Sequence, residues 1–481
     1  NVIQWVHRAT RGWSYGSIIT DPRTGEILKG HVSSGSLRVR QDFLIARGLL
    51  AGNGEESDVT SKAKEMALAR IRQLSAHEVG HTLGLAHNFA ASTSNRASVM
   101  DYPHPLVKLD NNGKIDLTSA YDTGIGEWDK VAIKYGYQDF PDTVTIDRGL
   151  DQIIRDYLES GLIFISDTDA RPAGGAHSLA HLWDNTSDPV AELRRITEIR
   201  KTVLNNISTE QVLDNEPVAT LEELLVPIYL FHRYQSEAVA KLLGGQYYTY
   251  AVKGDGQKIV EILPATVQWE AFNELLKTLD PQFLKVPDAI LALLPPRPLG
   301  YPRSRELFKS RTGVTFDPLS AAESAANLVI SLILNPERAS RLVELHSRDP
   351  RYPGFEEILE RLIKFTWESP VDNSFEREIQ RTVANLVLFQ MMKLVNDENC
   401  SSQARAIGFQ KLKKLYDWLI WQIDSRKDKL QKAHYRWAAW QIEQFRESPR
   451  KFKFPEAIDL PDGPPIGSGL SDNWPFHCSW N

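Results

Sequence analysis

The stretch from Leu74 to His87, LSAHEVGHTLGLAH, constrains the fold more than any other part of the chain. It holds His77, Glu78, His81, Gly84 and His87 in the spacing H-E-x-x-H-x-x-G-x-x-H. Residues four apart lie one above the other on a helix face, so His77 and His81 can share one metal ion. Glu78 follows the first ligand directly and can lean over a metal-bound water as general base. Gly84 enters left-handed backbone space without steric cost, which lets the chain turn back and bring His87 in as a third ligand. Three histidines with an open position are the catalytic form of a zinc site, not the closed structural form. The stretch therefore demands a helix, a sharp turn and a returning loop, all around one ion.

Histidine supplies only 12 of 481 residues. A chance match to the whole pattern is expected on the order of 10⁻⁵ to 10⁻⁴ times in such a chain. The bland alternative is a buried helix that carries three histidines, but core packing has no use for a glutamate beside two stacked ones.

The bulk numbers exclude several classes. A chain this long can build two or three domains with their own cores. Its 42% hydrophobic and 25% charged content is that of an ordinary globular protein. A net charge of −6 argues against a nucleic-acid binder. No apolar run reaches the ~18 residues of a membrane span. The first residue is Asn and the chain opens in an apolar strand, as a processed or truncated sequence does. The two cysteines, Cys400 and Cys478, lie far from the histidines and have no metal-site spacing. They can form one disulfide or remain two thiols.

Beyond His87 comes Ser98-Val99-Met100-Asp101-Tyr102-Pro103. A methionine turn downstream of the extended histidine motif is the metzincin signature. On these residues the chain resembles a metzincin zinc metallopeptidase. The resemblance implies one Zn²⁺ per chain on His77, His81 and His87, with Glu78 as general base and Gly84 at the turn. It implies Met100 as an apolar floor under the histidines. Tyr102 stands two residues after that methionine, where astacins and serralysins carry a tyrosine that ligates zinc or stabilises the oxyanion. A surface tyrosine in a turn is the alternative. The stretches NVIQWVHRATRGWSYG, DPRTGEILKGHV, GIGEWDKVAIKYGY and HRYQSEAVAKLLGG also resemble a bacterial family of large zinc-dependent metallopeptidases with helical C-terminal regions. That family implies an extracytoplasmic setting: periplasmic, surface-anchored or secreted.

Taken in order, residues 2–7, 13–20 and 26–33 read as strands. Asp21-Pro22-Arg23-Thr24-Gly25 makes a hairpin turn between the last two. In metzincins an edge strand of the upper sheet pairs with extended substrate. The resemblance and the physics of strand addition together put that strand at about Leu28–Ser34, with Leu28, Gly30 and Val32 as substrate-binding positions. Metzincins begin with a further strand and long helix. None precedes Asn1, so the sheet is expected to lack that unit. Residues 36–51 read as a helix, 52–60 as a polar loop, and 62–84 as the active-site helix, with Asp58 or Thr60 as its cap. Asp110-Asn111-Asn112-Gly113-Lys114-Ile115-Asp116 reads as a polar turn. Calcium is the alternative, but the twelfth position is Tyr121 and not Glu.

Beyond Trp128–Tyr137, which reads as the closing helix, helical periodicity takes over. It covers 148–160, 189–206, 220–243, 268–279, 319–345, 354–366, 374–396, 402–424 and 426–447, with a hairpin over 246–262. The expected fold class is α+β: a metzincin-like catalytic domain (1–141, incomplete at its N-terminus), a mainly α-helical domain (142–459), and a Pro/Gly-rich tail (460–481). Asp167-Thr168-Asp169-Ala170-Arg171 reads as a loop ion pair, with a role at the cleft as the alternative. His177 and His181 lack a neighbouring glutamate, and His232 lies amid apolar residues, so all three read as structural.

The expected function is hydrolysis of peptide bonds, the partner being a protein or peptide substrate. Two alternatives stand beside it: a binding or scaffold protein with a vestigial metzincin core, and a zinc hydrolase of a non-peptide amide.

Overall fold

The computed structural model describes residues 1–7, 14–425 and 428–463. Cys478, the rest of the tail beyond Gly463, and Arg8 to Trp13 lie outside the described residues. The fold is α+β. A three-stranded sheet comprises β1 (Val2–Val6), β2 (Tyr15–Thr20) and β3 (Ile27–Gly35) in the order β1-β3-β2. β1 runs parallel to β3 and β2 antiparallel to it. The turn of the β2–β3 hairpin closes through the Gly25 N–H and Asp21 carbonyl at 2.8 Å, with Gly25 at φ 76°.

This order corrects the expectation for Leu28–Ser34. From His31 onward that segment is the centre of the sheet, not its edge. Val2 faces His31 on one side and Ser17 faces it on the other, so the backbone groups are committed to both neighbours. Leu28 is exposed, Val32 is buried, and a Cβ on Gly30 would stand 2.9 Å from the Thr82 side chain. Gly30, whose N–H donates to Asn1 Oδ1 at 2.7 Å, and Val32 therefore offer no free edge to a substrate, while Leu28 precedes the β1 pairing. Among the described residues, the outer strands of the sheet are β1 and β2.

Two helices follow, α1 (Ser36–Leu49) and α2 (Glu56–Thr82). α2 starts six residues before the expected position, because Glu56 and Asp58 favour its first turn and no side chain caps it. It stops at the zinc motif's own glycine: Gly84 adopts φ 83° and the Leu85 N–H reaches back to the Gly80 carbonyl at 3.1 Å. The hairpin β4 (Lys108–Leu109) and β5 (Ile115–Asp116) encloses the suspected calcium loop. There Asp110 accepts the Asn112 and Lys114 N–H groups, each at 2.8 Å, so its carboxylate closes the turn.

α3 (Glu127–Tyr137), α4 (Ile146–Glu159) and the single-turn α5 (Asp167–Ala170) lead into the helical part. That part comprises α6 (Pro189–Leu204), α7 (Leu221–Tyr229), α8 (Arg233–Ala240), the hairpin β6 (Gln246–Tyr248) with β7 (Val260–Ile262), and α9 (Ala265–Lys277). It continues through α10 (Pro281–Leu284), α11 (Asp288–Leu291), α12 (Pro318–Ile333), α13 (Pro336–Arg348) and α14 (Phe355–Ile363). It ends with α15 (Ser374–Asn396), α16 (Ser402–Ser425) and α17 (Lys429–Glu447). A shared signal starts α6, α10, α12 and α13: Asp or Asn at the N-cap, its side chain accepting backbone N–H groups, then Pro at the first helical position. The same signal splits the expected 319–345 helix at Asn335-Pro336. The expected 220–243 helix also divides, between Leu230 and His232.

One apolar core joins both parts. Ile45, Leu49, Val59 and Met66 of α1 and α2 belong to the same buried cluster as Leu225, Phe272, Ile330, Val387 and Phe445. α1 and α2 therefore stand on the helical part as on a base. Among the described residues, no helix is long and apolar enough to cross a membrane.

Candidate functional site

α2 delivers His77 and His81 on one face, and the Gly84 turn returns His87. The Nε2 atoms of His77 and His81 lie 3.1 Å apart, as do those of His81 and His87. Each ring is held through its other nitrogen. His77 Nδ1 is 2.6 Å from the Val99 carbonyl and His81 Nδ1 is 3.0 Å from the Leu85 carbonyl. His87 Nδ1 is 2.9 Å from Asp167 Oδ2. With all three Nδ1–H groups donating, the Nε2 lone pairs converge on one point. Three acceptors so close repel unless a cation lies between them. A tetrahedral zinc with bonds of about 2.05 Å sets its nitrogen ligands about 3.3 Å apart, so the cluster fits that ion. Among the described residues, His77, His81 and His87 are the only group of three or more His, Cys, Asp or Glu side chains gathered closely enough to hold a metal.

Burial tunes these groups. It lowers the His77 pKa well below the ordinary value, helped by the neighbouring His81 and His87, and lowers that of His81 to about 4, helped by His87. Both rings are thus neutral and able to ligate near pH 7. Glu78 is buried, which raises its carboxyl to about 8, against the Gly16 N–H bond and the charge of Arg70. Tyr102 is buried and its phenol is raised to about 12, against the charge and hydrogen bond of Arg171.

The methionine turn is pinned by α3, through a residue the sequence reading passed over. The Asp129 carboxylate accepts the Ser98 hydroxyl at 2.6 Å and the N–H groups of Val99 and Gly126 at 2.8 and 2.7 Å. Met100 is fully buried against α2, where a Cβ on Gly80 would lie 2.3 Å from its Sδ. Tyr102 extends from this turn to the histidines, with its hydroxyl 3.1 Å from His87 Nε2. Its ring packs on Trp183 with centroids 5.5 Å apart. Trp183 holds the left-handed φ of 62°, and its N–H donates to the Tyr102 carbonyl at 2.7 Å.

β2 also meets the site. A Cβ on Gly16 would lie 2.1 Å from the Glu78 carbonyl, so the strand rests directly on the histidine-bearing turn of α2.

The Asp167–Arg171 segment is no remote loop pair. Asp167 contacts His87, and Arg171 Nη2 donates to the Tyr102 hydroxyl at 2.9 Å. Burial pushes the Asp167 carboxyl up, but the His87 hydrogen bond and the Arg171 charge outweigh it and hold the group below the usual carboxylate range. No spacing rule ties these residues to the motif. Two carboxylates and an arginine soon after the catalytic part were the one signal.

The remaining candidates are structural. His177 Nε2 is 2.8 Å from the Tyr248 carbonyl and His181 Nε2 is 2.8 Å from the Ser178 carbonyl, in a segment that is not helical. His232 is buried beside Phe283, and Cys400 is buried as a free thiol.

Comparison with known proteins agrees with this geometry. No curated protein and no solved structure matches the chain. A family model described as Met-zincin matches residues 60–374, a span that holds the three histidines, the methionine turn and α5. With the histidine cluster, the methionine floor and a match over most of its length, the chain belongs to the Met-zincin family, of metzincin-type zinc metallopeptidases.

Proposed function

We propose that this chain is a zinc-dependent endopeptidase in which Glu78 is the general base. His77, His81 and His87 would hold a zinc ion, which would supply Lewis acidity to the scissile carbonyl and acidify the attacking water. Glu78 takes a proton from that water and passes it to the leaving amine. The Tyr102 hydroxyl donates to the developing oxyanion. Met100 and Gly84 shape the floor and the turn. The outer edge of β2, with Gly16 on the histidine-bearing turn, takes the pairing role first expected of Leu28–Ser34 and binds substrate in extended form. Residues 1–141 carry the reacting groups, and the helical part, 142–459, borders the site through α5 and governs access. An extracytoplasmic setting suits such an enzyme.

The observation that carries this reading is the convergence of three Nε2 lone pairs, each fixed through Nδ1, beside a buried glutamate. In the Glu78→Gln variant we expect zinc to be retained at one ion per chain and kcat for a peptide library to fall by roughly 10²–10⁴-fold. Cleavage at the wild-type rate by that variant would refute the general-base assignment.

A further inference from the structure

Asp167 and Arg171 touch the site but have no part in the chemistry above. Asp167 lies eighty residues beyond His87 in the chain, yet its Oδ1 and Oδ2 stand 3.1 and 2.9 Å from His87 Nδ1. Arg171 donates through Nε to Asp167 and through Nη2 to the Tyr102 hydroxyl. Its guanidinium also lies over the rings of Tyr102 and Phe89, 5.2 and 5.4 Å from their centroids. Tyr102 Oη in turn is 3.1 Å from His87 Nε2. The four side chains close a circuit: His87, Asp167, Arg171, Tyr102 and back to His87.

The circuit restrains the two site groups that α2 does not carry, His87 and Tyr102. An imidazole has two tautomers, and a carboxylate on Nδ1 keeps the proton there and leaves Nε2 as a lone pair. For His77 and His81, backbone carbonyls of the methionine turn and the Gly84 turn do this. His87 sits beyond the helix and relies on Asp167. The phenol behaves similarly. Because Tyr102 Oη accepts from Arg171, its own proton must point away from the guanidinium, toward the histidines.

The helical part grips α5 from behind. The hydroxyls of Tyr248 and Tyr250 donate to the two oxygens of Asp169. The Ser166 N–H donates to Tyr250 Oη at 3.1 Å. The Lys241 ammonium, at the C-terminal cap of α8, donates to the Ala170 and Ala180 carbonyls. A pair that only neutralised a surface loop would have no need of this support.

We propose that Asp167 and Arg171 are positioning residues of the metal centre, supplied by the helical part: Asp167 orients His87 for the ion, and Arg171 orients the Tyr102 hydroxyl for turnover. The Arg171 half rests on the endopeptidase reading. The Asp167 half requires only that the histidines bind zinc.

The test uses the full chain, with zinc affinity read by competition against a chromophoric chelator. Asp167→Ala should weaken zinc binding by about 10–100-fold, and Asp167→Asn, which keeps an acceptor oxygen, should recover part of the loss. The metal-free protein should melt at the wild-type temperature in both variants. Arg171→Lys should hold zinc within about threefold of wild type while kcat falls at least about tenfold and KM stays nearly constant. Tyr102→Phe should give the same pattern, and the double variant should lose no more than the worse single. Unchanged zinc affinity in Asp167→Ala, or a loss matched by an equal loss of metal-free stability, overturns the Asp167 half. Multiplying losses for Arg171→Lys and Tyr102→Phe overturn the Arg171 half. A wild-type chain that binds zinc but cleaves no peptide sinks the endopeptidase reading and the Arg171 half with it, while the Asp167 comparison still stands on affinity alone.

Discussion

Gly80 shows what a single residue contributes to this site. It sits inside α2, two residues before its end, where glycine costs roughly 0.5–1 kcal/mol relative to alanine. Helix propensity alone predicts that alanine would stabilise the protein. Packing predicts the opposite, because a Cβ there would stand 2.3 Å from Met100 Sδ, and Met100 is fully buried. Displacing a buried side chain costs typically 1–3 kcal/mol, so packing wins. Gly80→Ala should therefore lower the melting temperature and weaken zinc retention; a rise in melting temperature would show that Met100 moves freely. The zinc motif itself was legible because its residue types and spacings are local. Gly80 was legible in principle, as a glycine interrupting a good helix, but it fills an unconstrained position of the pattern. Asp167 and Arg171 were not, since a short run of sequence looks the same whether its carboxylate meets a neighbouring arginine or a histidine eighty positions away.

At the level of elements, helices were read better than strand order. A helix announces itself through apolar spacing and its ends, as Asp188-Pro189 and Asp317-Pro318 do. A hairpin turn shows that β2 and β3 are neighbours but not which of them has a second partner. That partner, β1, is parallel to β3 and is followed in the chain by β2 and not by β3, so no local signal marks the pairing. Elements also set the response to acid. His434 on α17 stacks on Trp367 with centroids 5.1 Å apart, and burial, then the charge of Arg381, lowers its pKa from 6.5 to about 4. Burial likewise lowers His104 to about 3, helped by Arg233, Arg38 and Arg195. Between about 4 and 6.5 the unfolded chain binds more protons at these rings than the folded one. Their share of stability is therefore complete above about 6.5 and declines as pH falls toward 4, by at most about 1.4 kcal/mol per pH unit for each ring. Melting temperature against pH over that window should be flatter in His434→Gln than in wild type. Equal slopes would place His434 in solvent-like surroundings.

On the scale of the whole molecule, the boundary expected near Pro141 separates two kinds of sequence, but one core spans it. Val59, Ala63 and Met66 of α2 share that core with α6, α7 and α12. The helical content was plain from periodicity, whereas the burial of α1 and α2 against it depends on tertiary contacts that periodicity does not encode. The grip on α5 has a consequence in time. During synthesis His87 leaves the ribosome well before Asp167, and Asp167 before Tyr250, which anchors its segment. At about 5–20 residues per second the interval from the last histidine to that anchor is on the order of 10 s. A nascent chain in that interval holds every zinc ligand but lacks, or has not yet anchored, the carboxylate that aims the third. Refolding should show the same order: zinc uptake should trail the recovery of helical signal, and simultaneous recovery would mean the motif assembles without its distant support. A metal centre built this way is completed only after about half of the chain has been made, which delays the blade until the sheath is under way.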